Sequence, residues 1–175
     1  LLPSASVTGN RQPCGYMYCI HSCIAARHTS SNIPLVTHGS LKIAMPLSIL
    51  LFFKRRSDFS PDQFKTHLEQ TYLPLLKSTM GEHYPPTVTL RYVERVESGA
   101  GDRFGATMSL KSRNPPEAPV MLVGAPHELG WDCMCEMIYH DELQLQQCYA
   151  LINSPAGQVV KEEEERFTDV EHMRI

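Results

Sequence analysis

The sequence predicts an α+β domain that pairs with a second copy of itself as a dimeric α+β barrel. Between Met45 and Ile175 the pattern runs strand, helix, strand, long loop, strand, helix and strand. The first strand, Leu47–Lys54, is apolar on both faces, whereas an antiparallel sheet in water needs only one apolar face. Two helices can cover one face, so the economical cover for the other is a second copy of the sheet. We expect a cavity between the sheet and the helices.

Composition limits the class of protein. The 175 residues are typical of one domain, which usually has roughly 100–200 residues. The hydrophobic content of 42% and the charged content of 20% are ordinary for a globular chain. The net charge of −3 and the pI of about 6.2 argue against a nucleic-acid partner. No apolar run approaches the ~20 residues that cross a membrane. We therefore expect a soluble, cytoplasmic protein with no membrane partner.

The segment Leu1–Ala44 shows no sustained period of 2 or 3.6 residues. It could be a disordered or weakly helical extension, a targeting peptide, or translation upstream of a start at Met45. It lacks the apolar stretch of a secretory signal, and its arginines are too sparse for a mitochondrial presequence. We favour the upstream-translation interpretation, with disorder next, and expect the domain to begin at Met45.

The six cysteines are interpreted as small hydrophobic residues in a reducing compartment. Cys133 and Cys135 stand two apart in a predicted strand, so they share a face and cannot readily bridge each other. The N-terminal segment lacks the paired Cys-x2–4-Cys spacing of structural zinc sites. We therefore expect no metal site. The six positions are Cys14, Cys19, Cys23, Cys133, Cys135 and Cys148.

The first helix has clear start and stop signals. Ser60 is an N-cap residue, Pro61 suits the first helical position, and Gln63 completes a capping box. Pro74 lies within the pattern and predicts a kink, and Gly81 predicts the end. The apolar stripe consists of Phe64, Leu68, Tyr72 and Leu75.

Three further strands are predicted by alternation: Thr87–Val96, Asp132–Tyr139 and Val170–Ile175. Between the first two lies the Gly- and Pro-rich insert Glu97–Leu129, which is longer than most connections and predicts a partly ordered flap. Its apolar stretches, Phe104–Leu110 and Val120–Val123, are expected to pack back or to form a short hairpin.

The second helix is capped by Asp141 and ends at Asn153–Gly157. Its apolar stripe is Leu145, Cys148, Tyr149 and Ile152. A charged helix follows, and its acidic run Glu162–Glu165 predicts a solvated face.

Several short motifs resemble those of EthD-type proteins. They are Leu51–Arg55, Ser60–His67, Leu73–Leu75, Ser154–Gly157 and Phe167–Asp169. The resemblance spans Met45 to Ile175. It implies a ferredoxin-like βαββαβ domain, with an antiparallel sheet and helices on one face, that dimerises through its sheets. It also implies kinship with small cofactor-free enzymes, including fungal enzymes that tailor aromatic polyketides by oxidation, dehydration or cyclisation.

The chain departs from the EthD pattern at one position. The family usually has a histidine just before the Ala-Pro or Leu-Pro step of the first helix, and this chain has Tyr72 there. His67 matches another frequent polar position of that helix. If the family's chemistry needs the missing imidazole, this protein either uses the Tyr72 phenol or does something else.

Six residues are the candidates for a site. An imidazole accepts a proton near neutral pH, and a phenol can orient a carbonyl. The predicted catalytic residues are His67, Tyr72 and His172, and the predicted substrate-binding residues are Tyr92, Arg91 and His140. Each also has a structural alternative: a half-exposed position for His67, a turn or cap for His140, core packing for the tyrosines, and pairing with Glu136 for Arg91.

The sequence also predicts where the site lies. We expect a pocket between the sheet and the first helix, with His67 or Tyr72 at its rim and Tyr92 or His172 on its floor. The insert would be its lid. The domain contains no phosphate loop, dinucleotide fingerprint or Ser-His-Asp order, so we expect chemistry without a cofactor. The predicted partner is a hydrophobic small molecule, which the homodimer transforms or, alternatively, only binds and carries.

Overall fold

A computed structural model describes residues 45–175 and confirms the α+β class. Three antiparallel strands form one sheet in the order β1-β3-β2. They are β1 (Leu47–Phe53), β2 (Thr87–Tyr92) and β3 (Cys133–Tyr139). The helices are α1 (Pro61–His67), α2 (Leu73–Met80), α3 (Ala100–Phe104), α4 (Glu142–Ile152) and α5 (Gln158–Phe167). None of the helices in these residues is long and apolar enough to cross a bilayer.

The predicted alternation of β1 is confirmed by burial. Phe53 is fully buried, and Ile49 and Leu51 pack against the core between the sheet and the helices. Leu50 points the other way and is 40% exposed. We call this opposite side the outer sheet face. By strand alternation and register it consists of Ser48, Leu50, Phe52, Thr87, Thr89, Arg91, Met134, Glu136 and Ile138.

The predicted caps of the first helix are confirmed. The Ser60 hydroxyl accepts a hydrogen bond from the Gln63 N–H at 3.2 Å, and the Gln63 side chain accepts one from the Ser60 N–H at 2.9 Å. Gly81 ends α2 with φ of 54°, a value that favours glycine because it has no Cβ. Local sequence chemistry therefore fixes both ends of this helical segment.

The middle of this helical segment differs from the prediction. Leu68–Tyr72, between α1 and α2, is π-helical, and Pro74 lies at the start of α2. Proline has no N–H to donate to the carbonyl four residues earlier. A π turn upstream is one way in which the backbone can accommodate the missing hydrogen bond. A π turn also changes the phase of the helix. The most buried position in the next turn is therefore Leu76, 3% exposed, whereas the predicted Leu75 is only half-buried.

Strand β2 ends earlier than predicted, at Tyr92 instead of Val96. The insert takes over the hydrogen bonds that would continue the strand. The Val96 N–H donates to the Ala118 carbonyl at 2.9 Å, and the Val120 N–H donates to the Glu94 carbonyl at 2.8 Å. The insert is therefore anchored to the end of β2.

Of the two alternatives expected for the apolar stretches of the insert, packing back or a short hairpin, the hairpin does not form in the described chain, which has short helical turns there. The Ser109 hydroxyl instead joins the two apolar stretches, because it lies 2.8 Å from the Met121 N–H and 3.2 Å from the Met121 carbonyl. The predicted last strand is much shorter than expected. Val170–Ile175 contributes one antiparallel bridge, in which Phe52 and Arg174 exchange hydrogen bonds of 2.8 and 3.2 Å.

The carboxylate of Asp132 joins the ends of the three strands and is 2% exposed. Arg95 Nη2 lies 2.5 Å from its Oδ1, and Lys54 Nζ lies 3.4 Å from its Oδ2. The Arg55 N–H donates to Oδ2 at 3.0 Å, and the Arg55 guanidinium also binds Glu117 of the insert at 2.8 Å. Removing one member of such a buried network leaves the others unpaired in a poorly solvated place.

Replacing Asp132 should therefore destabilise the domain strongly. We expect Asp132→Asn to lower the free energy of unfolding by about 3 kcal/mol, because the side chains of Lys54, Arg95 and Arg55, whose Nε lies 3.3 Å from Asp132 Oδ1, lose their shared anion. Urea unfolding followed by circular dichroism measures the change. Asp58→Asn is the matched control, since the Asp58–Arg56 pair is exposed, and it should leave the unfolding midpoint unchanged. An unchanged midpoint in Asp132→Asn would contradict the proposed structural role.

Candidate functional site

A groove of about 480 Å³ runs along the first helical segment. His67 is the predicted catalytic residue that lines it. The other lining residues are Asp58, Phe59, Asp62, Gln63, Thr66, Gln70 and Thr71. The groove thus combines an imidazole, one aromatic ring, and several amide, hydroxyl and carboxylate groups along one helix.

The His67 imidazole is held by a carboxylate from α5. Its Nε2 lies 2.7 Å from Glu163 Oε1, and Arg166 Nη1 lies 2.7 Å from Oε2 of the same carboxylate. The ring contacts Phe167 and Phe59, with centroid distances of 4.8 and 5.8 Å. A carboxylate accepts hydrogen bonds, so Nε2 is the donor in this contact, and in a neutral imidazole Nδ1 is then the nitrogen with the free lone pair.

The acidic run of α5 is only partly solvated, so the prediction for it is wrong at two positions. Glu163 is 7% exposed and Glu164 is 2% exposed, whereas Glu162 and Glu165 are exposed. The core-facing positions of α5 follow a helical spacing that includes two apolar residues, Val160 and Phe167. That spacing was visible in the sequence and places both carboxylates on the buried stripe. It could have identified Glu163 as a partner for a buried polar group.

Tyr72 lies in the core. It is 3% exposed, does not line the groove, and its hydroxyl donates a hydrogen bond to Glu164 Oε1 at 3.1 Å. Its ring contacts Phe167 and Phe53, with centroids 5.3 and 6.0 Å away. The phenol at the position where the resemblance implies a histidine therefore forms a hydrogen bond with a buried carboxylate.

A smaller cavity of about 160 Å³ lies beside the end of β2 and includes Tyr92, Phe64 and Lys65 in its lining. The Lys65 ammonium lies 5.2 Å from the centre of the Tyr92 ring. Burial, with the Cys133 thiol nearby, raises the pKa of Tyr92 well above its usual value. The phenol stays protonated near neutral pH and can act only as a hydrogen-bonding group. His67 and Tyr92 therefore line different cavities.

The other three predicted residues lie apart from His67. Arg91 binds Glu136 at 3.1 Å on the outer sheet face, which is the structural alternative considered for it. His140 is exposed at the end of β3, and its backbone N–H donates a hydrogen bond to the Gln144 side chain at 2.8 Å. His172 is exposed, and its Nδ1 lies 2.7 Å from Asp169 Oδ2. Their roles in binding or catalysis remain predictions.

The three cysteines of the domain are buried and unbridged, as predicted. They are Cys133, Cys135 and Cys148, and the three N-terminal cysteines lie outside the described residues. Burial raises the pKa of both Cys133 and Cys135 to about 12. Within residues 45–175 no group of three or more His, Cys, Asp or Glu side chains could hold a metal ion.

The comparisons identify the family. The model of the EthD domain matches residues 56–171, which is well over half of the chain, and the chain therefore belongs to the EthD domain family. One similar solved structure is an ethyl tert-butyl ether D (EthD) family protein from Bacillus halodurans C-125. It is 15% identical, the match covers 71% of this chain and 88% of that one, and the TM-score is 0.39. No curated protein matches.

The buried thiols should be inert in the native protein. With a pKa of about 12, Cys133 and Cys135 hold only about one thiolate in 10⁴ at pH 8, and the thiolate is the nucleophile. We expect iodoacetamide at pH 8 to leave both unmodified in native protein and to modify both in urea. Peptide mapping by mass spectrometry separates these sites from the N-terminal cysteines. Rapid native labelling of either thiol would contradict the described burial.

Proposed function

We propose that this EthD-family protein is a cofactor-free tailoring enzyme for a hydrophobic aromatic or polyketide-like small molecule. The observation that carries the proposal is the His67–Glu163 pair, 2.7 Å apart, at the groove along the first helical segment. A histidine fixed by a buried carboxylate and lining a groove is a recurring arrangement for general acid–base chemistry. Membership of the EthD family, which the resemblance links to small cofactor-free enzymes, supports the same class.

The chemistry follows from the fixed orientation of the imidazole. Glu163 accepts the Nε2 proton of His67, so Nδ1 is the atom that can remove a proton from a substrate carbon or hydroxyl. The carboxylate also stabilises the imidazolium that forms. The resulting substrate anion can eliminate water, close a ring or react with dioxygen. These outcomes correspond to the dehydration, cyclisation and oxidation that the family resemblance implies.

The groove suits a flat molecule that carries oxygen atoms. Phe59 offers an aromatic surface next to the His67 ring, at a centroid distance of 5.8 Å. Thr66 and Gln70 line the same groove, and their side chains can form hydrogen bonds with carbonyl or hydroxyl groups of a ligand. Sites for small molecules commonly combine an apolar surface with a few such polar groups.

We further propose a ferredoxin-like βαββαβ sheet that pairs as a homodimer in a dimeric α+β barrel. The bridge between Phe52 and Arg174 supports this topology, because it puts the end of the chain next to β1. The resulting order is chain end, β1, β3 and β2, with helices on one side. The apolar residues of the outer sheet face, such as Leu50 at 40% exposure, support a cover by a second copy.

A non-catalytic carrier of a hydrophobic ligand is the alternative. The observation that favours it is Tyr72, whose buried phenol occupies the position of the family's usual histidine and binds Glu164. A chain that has lost that imidazole can keep the fold and the ligand site without the reaction. Native mass spectrometry of purified protein that shows a bound, chemically unchanged ligand would favour this function.

Variants at His67 test the enzymatic proposal. We expect purified protein to convert members of a panel of hydroxylated anthrones and naphthols in air, and His67→Ala to lower kcat/KM about 100-fold or more. His83→Ala is the matched control, because His83 also lies beside a glutamate, at 3.8 Å, and its side chain is 26% exposed against 25% for His67. It should leave kcat/KM unchanged. Unchanged turnover in His67→Ala would refute the role of this imidazole.

A further inference from the structure

We propose that the polar cluster Ser48–Glu136–Arg91 on the outer sheet face is buried between two copies of this chain and sets the register of their contact. The inference rests on the homodimer of the proposed function and assigns the side chains that specify it. Glu136 is the centre of the cluster. Ser48 donates to its Oε1 at 3.1 Å, and Arg91 Nη1 lies 3.1 Å from its Oε2.

The cluster spans the whole sheet. Ser48 belongs to β1, Glu136 to the central strand β3, and Arg91 to β2. Both carboxylate oxygens therefore have a partner, one from each neighbouring strand. The side chains of Arg91 and Glu136 are 53% and 27% exposed, so the pair is accessible from the outer side.

The surroundings of the cluster are apolar. Leu50 stands beside Glu136 in the register, and Phe52 and Met134 stand beside each other in the next row. The Phe52 ring contacts Trp131, with centroids 5.4 Å apart. Aromatic residues, methionine and arginine are the types that protein interfaces favour at their centres. Among the described residues, the outer sheet face contributes nothing to the core that the sheet shares with the helices.

A second copy is the occupant that the charges favour. The nine residues of the outer sheet face include one cation and one anion, already 3.1 Å apart, so this part of the sheet is electrostatically complementary to itself, and Arg174 lies beyond it, next to Phe52. A symmetric contact brings the same face from both copies together. Burial of the cluster is then tolerated, because each charge keeps its partner and the second copy adds polar groups of its own. An unrelated apolar partner would add no polar neighbours to Ser48, Glu136 and Arg91.

The same groups can set the register. Apolar side chains tolerate small displacements of one sheet over the other, but a displaced contact would press a charged group against Leu50 or Phe52 of the other copy. A buried polar group that must keep its partner is an established way to select one register. We therefore propose that the cluster selects the register of the contact and that the apolar residues around it supply most of its buried area.

Charge exchange tests the assignment. Sedimentation velocity over a dilution series gives the dimer dissociation constant of the wild type and of each variant. Arg91→Glu puts two carboxylates side by side and should raise the constant about tenfold or more. Glu136→Arg should do the same, and the double variant Arg91→Glu/Glu136→Arg should return to within about threefold of the wild type. Arg56→Glu, a change in an exposed ion pair away from this face, should have no effect.

Two further variants separate the alternatives. Leu50→Asp lies on β1, far from the free edge of β2, and should weaken a face-to-face dimer but not a dimer joined through that edge. A chain that starts at Met45 should keep the wild-type dissociation constant. Far-ultraviolet circular dichroism and the unfolding midpoint of each variant show that the protomer itself is folded.

The outcomes distinguish the two proposals. A wild-type chain that is monomeric at micromolar concentration refutes the homodimer and this inference, and the enzymatic proposal at His67 stands or falls on its own assay. If Arg91→Glu and Leu50→Asp leave the dimer dissociation constant unchanged, the dimer uses another surface, and only this inference is overturned. Loss of the dimer in the chain that starts at Met45 would assign the contact to the N-terminal segment and also overturn it.

Discussion

The packing of α5 on α1 is the contact on which both the core and the candidate site depend. Phe167 is fully buried, and its ring touches Phe64, His67 and Tyr72 with centroids 4.8 to 5.7 Å apart. Burying such a side chain contributes about 1.5–3 kcal/mol. The same face of α5 carries Glu163, so docking Phe167 also buries that carboxylate. A buried carboxylate needs partners, and Glu163 has two at 2.7 Å, the imidazole of His67 and the guanidinium of Arg166.

The packing of α5 also explains why Tyr72 lies in the core and does not line the groove. Glu164 stands next to Glu163 and is even less exposed, at 2%. The Tyr72 hydroxyl donates a hydrogen bond to the Glu164 carboxylate, and the Tyr72 ring packs against Phe167. Because this phenol is buried in the core, it is not among the residues that line the groove. The candidate acid–base group is therefore His67, which lies at the edge of the same contact and also lines the groove.

The sequence predicted the parts of this structure that depend on neighbouring residues. The Ser60–Gln63 capping box, the glycine at the end of α2 and the two faces of β1 are all local properties, and all were predicted correctly. The π turn was not predicted. Pro74 indicates only that one helical hydrogen bond is missing, and not where along the helix the backbone adjusts to its absence. The partners of the candidate site were also missed. His67 and Glu163 are 96 residues apart, and a run of four glutamates is usually solvated.

The electrostatics of the domain narrow the choice of a base. Burial raises the pKa of the Cys133 thiol and of the Tyr92 and Tyr139 phenols, so these groups stay protonated near neutral pH. In the groove, the hydrogen bond from Arg56 lowers the pKa of Asp58, which makes that carboxylate a weaker base. An imidazole can change its protonation state in this range of pH. His67 therefore combines the required chemistry with a fixed orientation, because the helix contact that stabilises the fold also holds its ring.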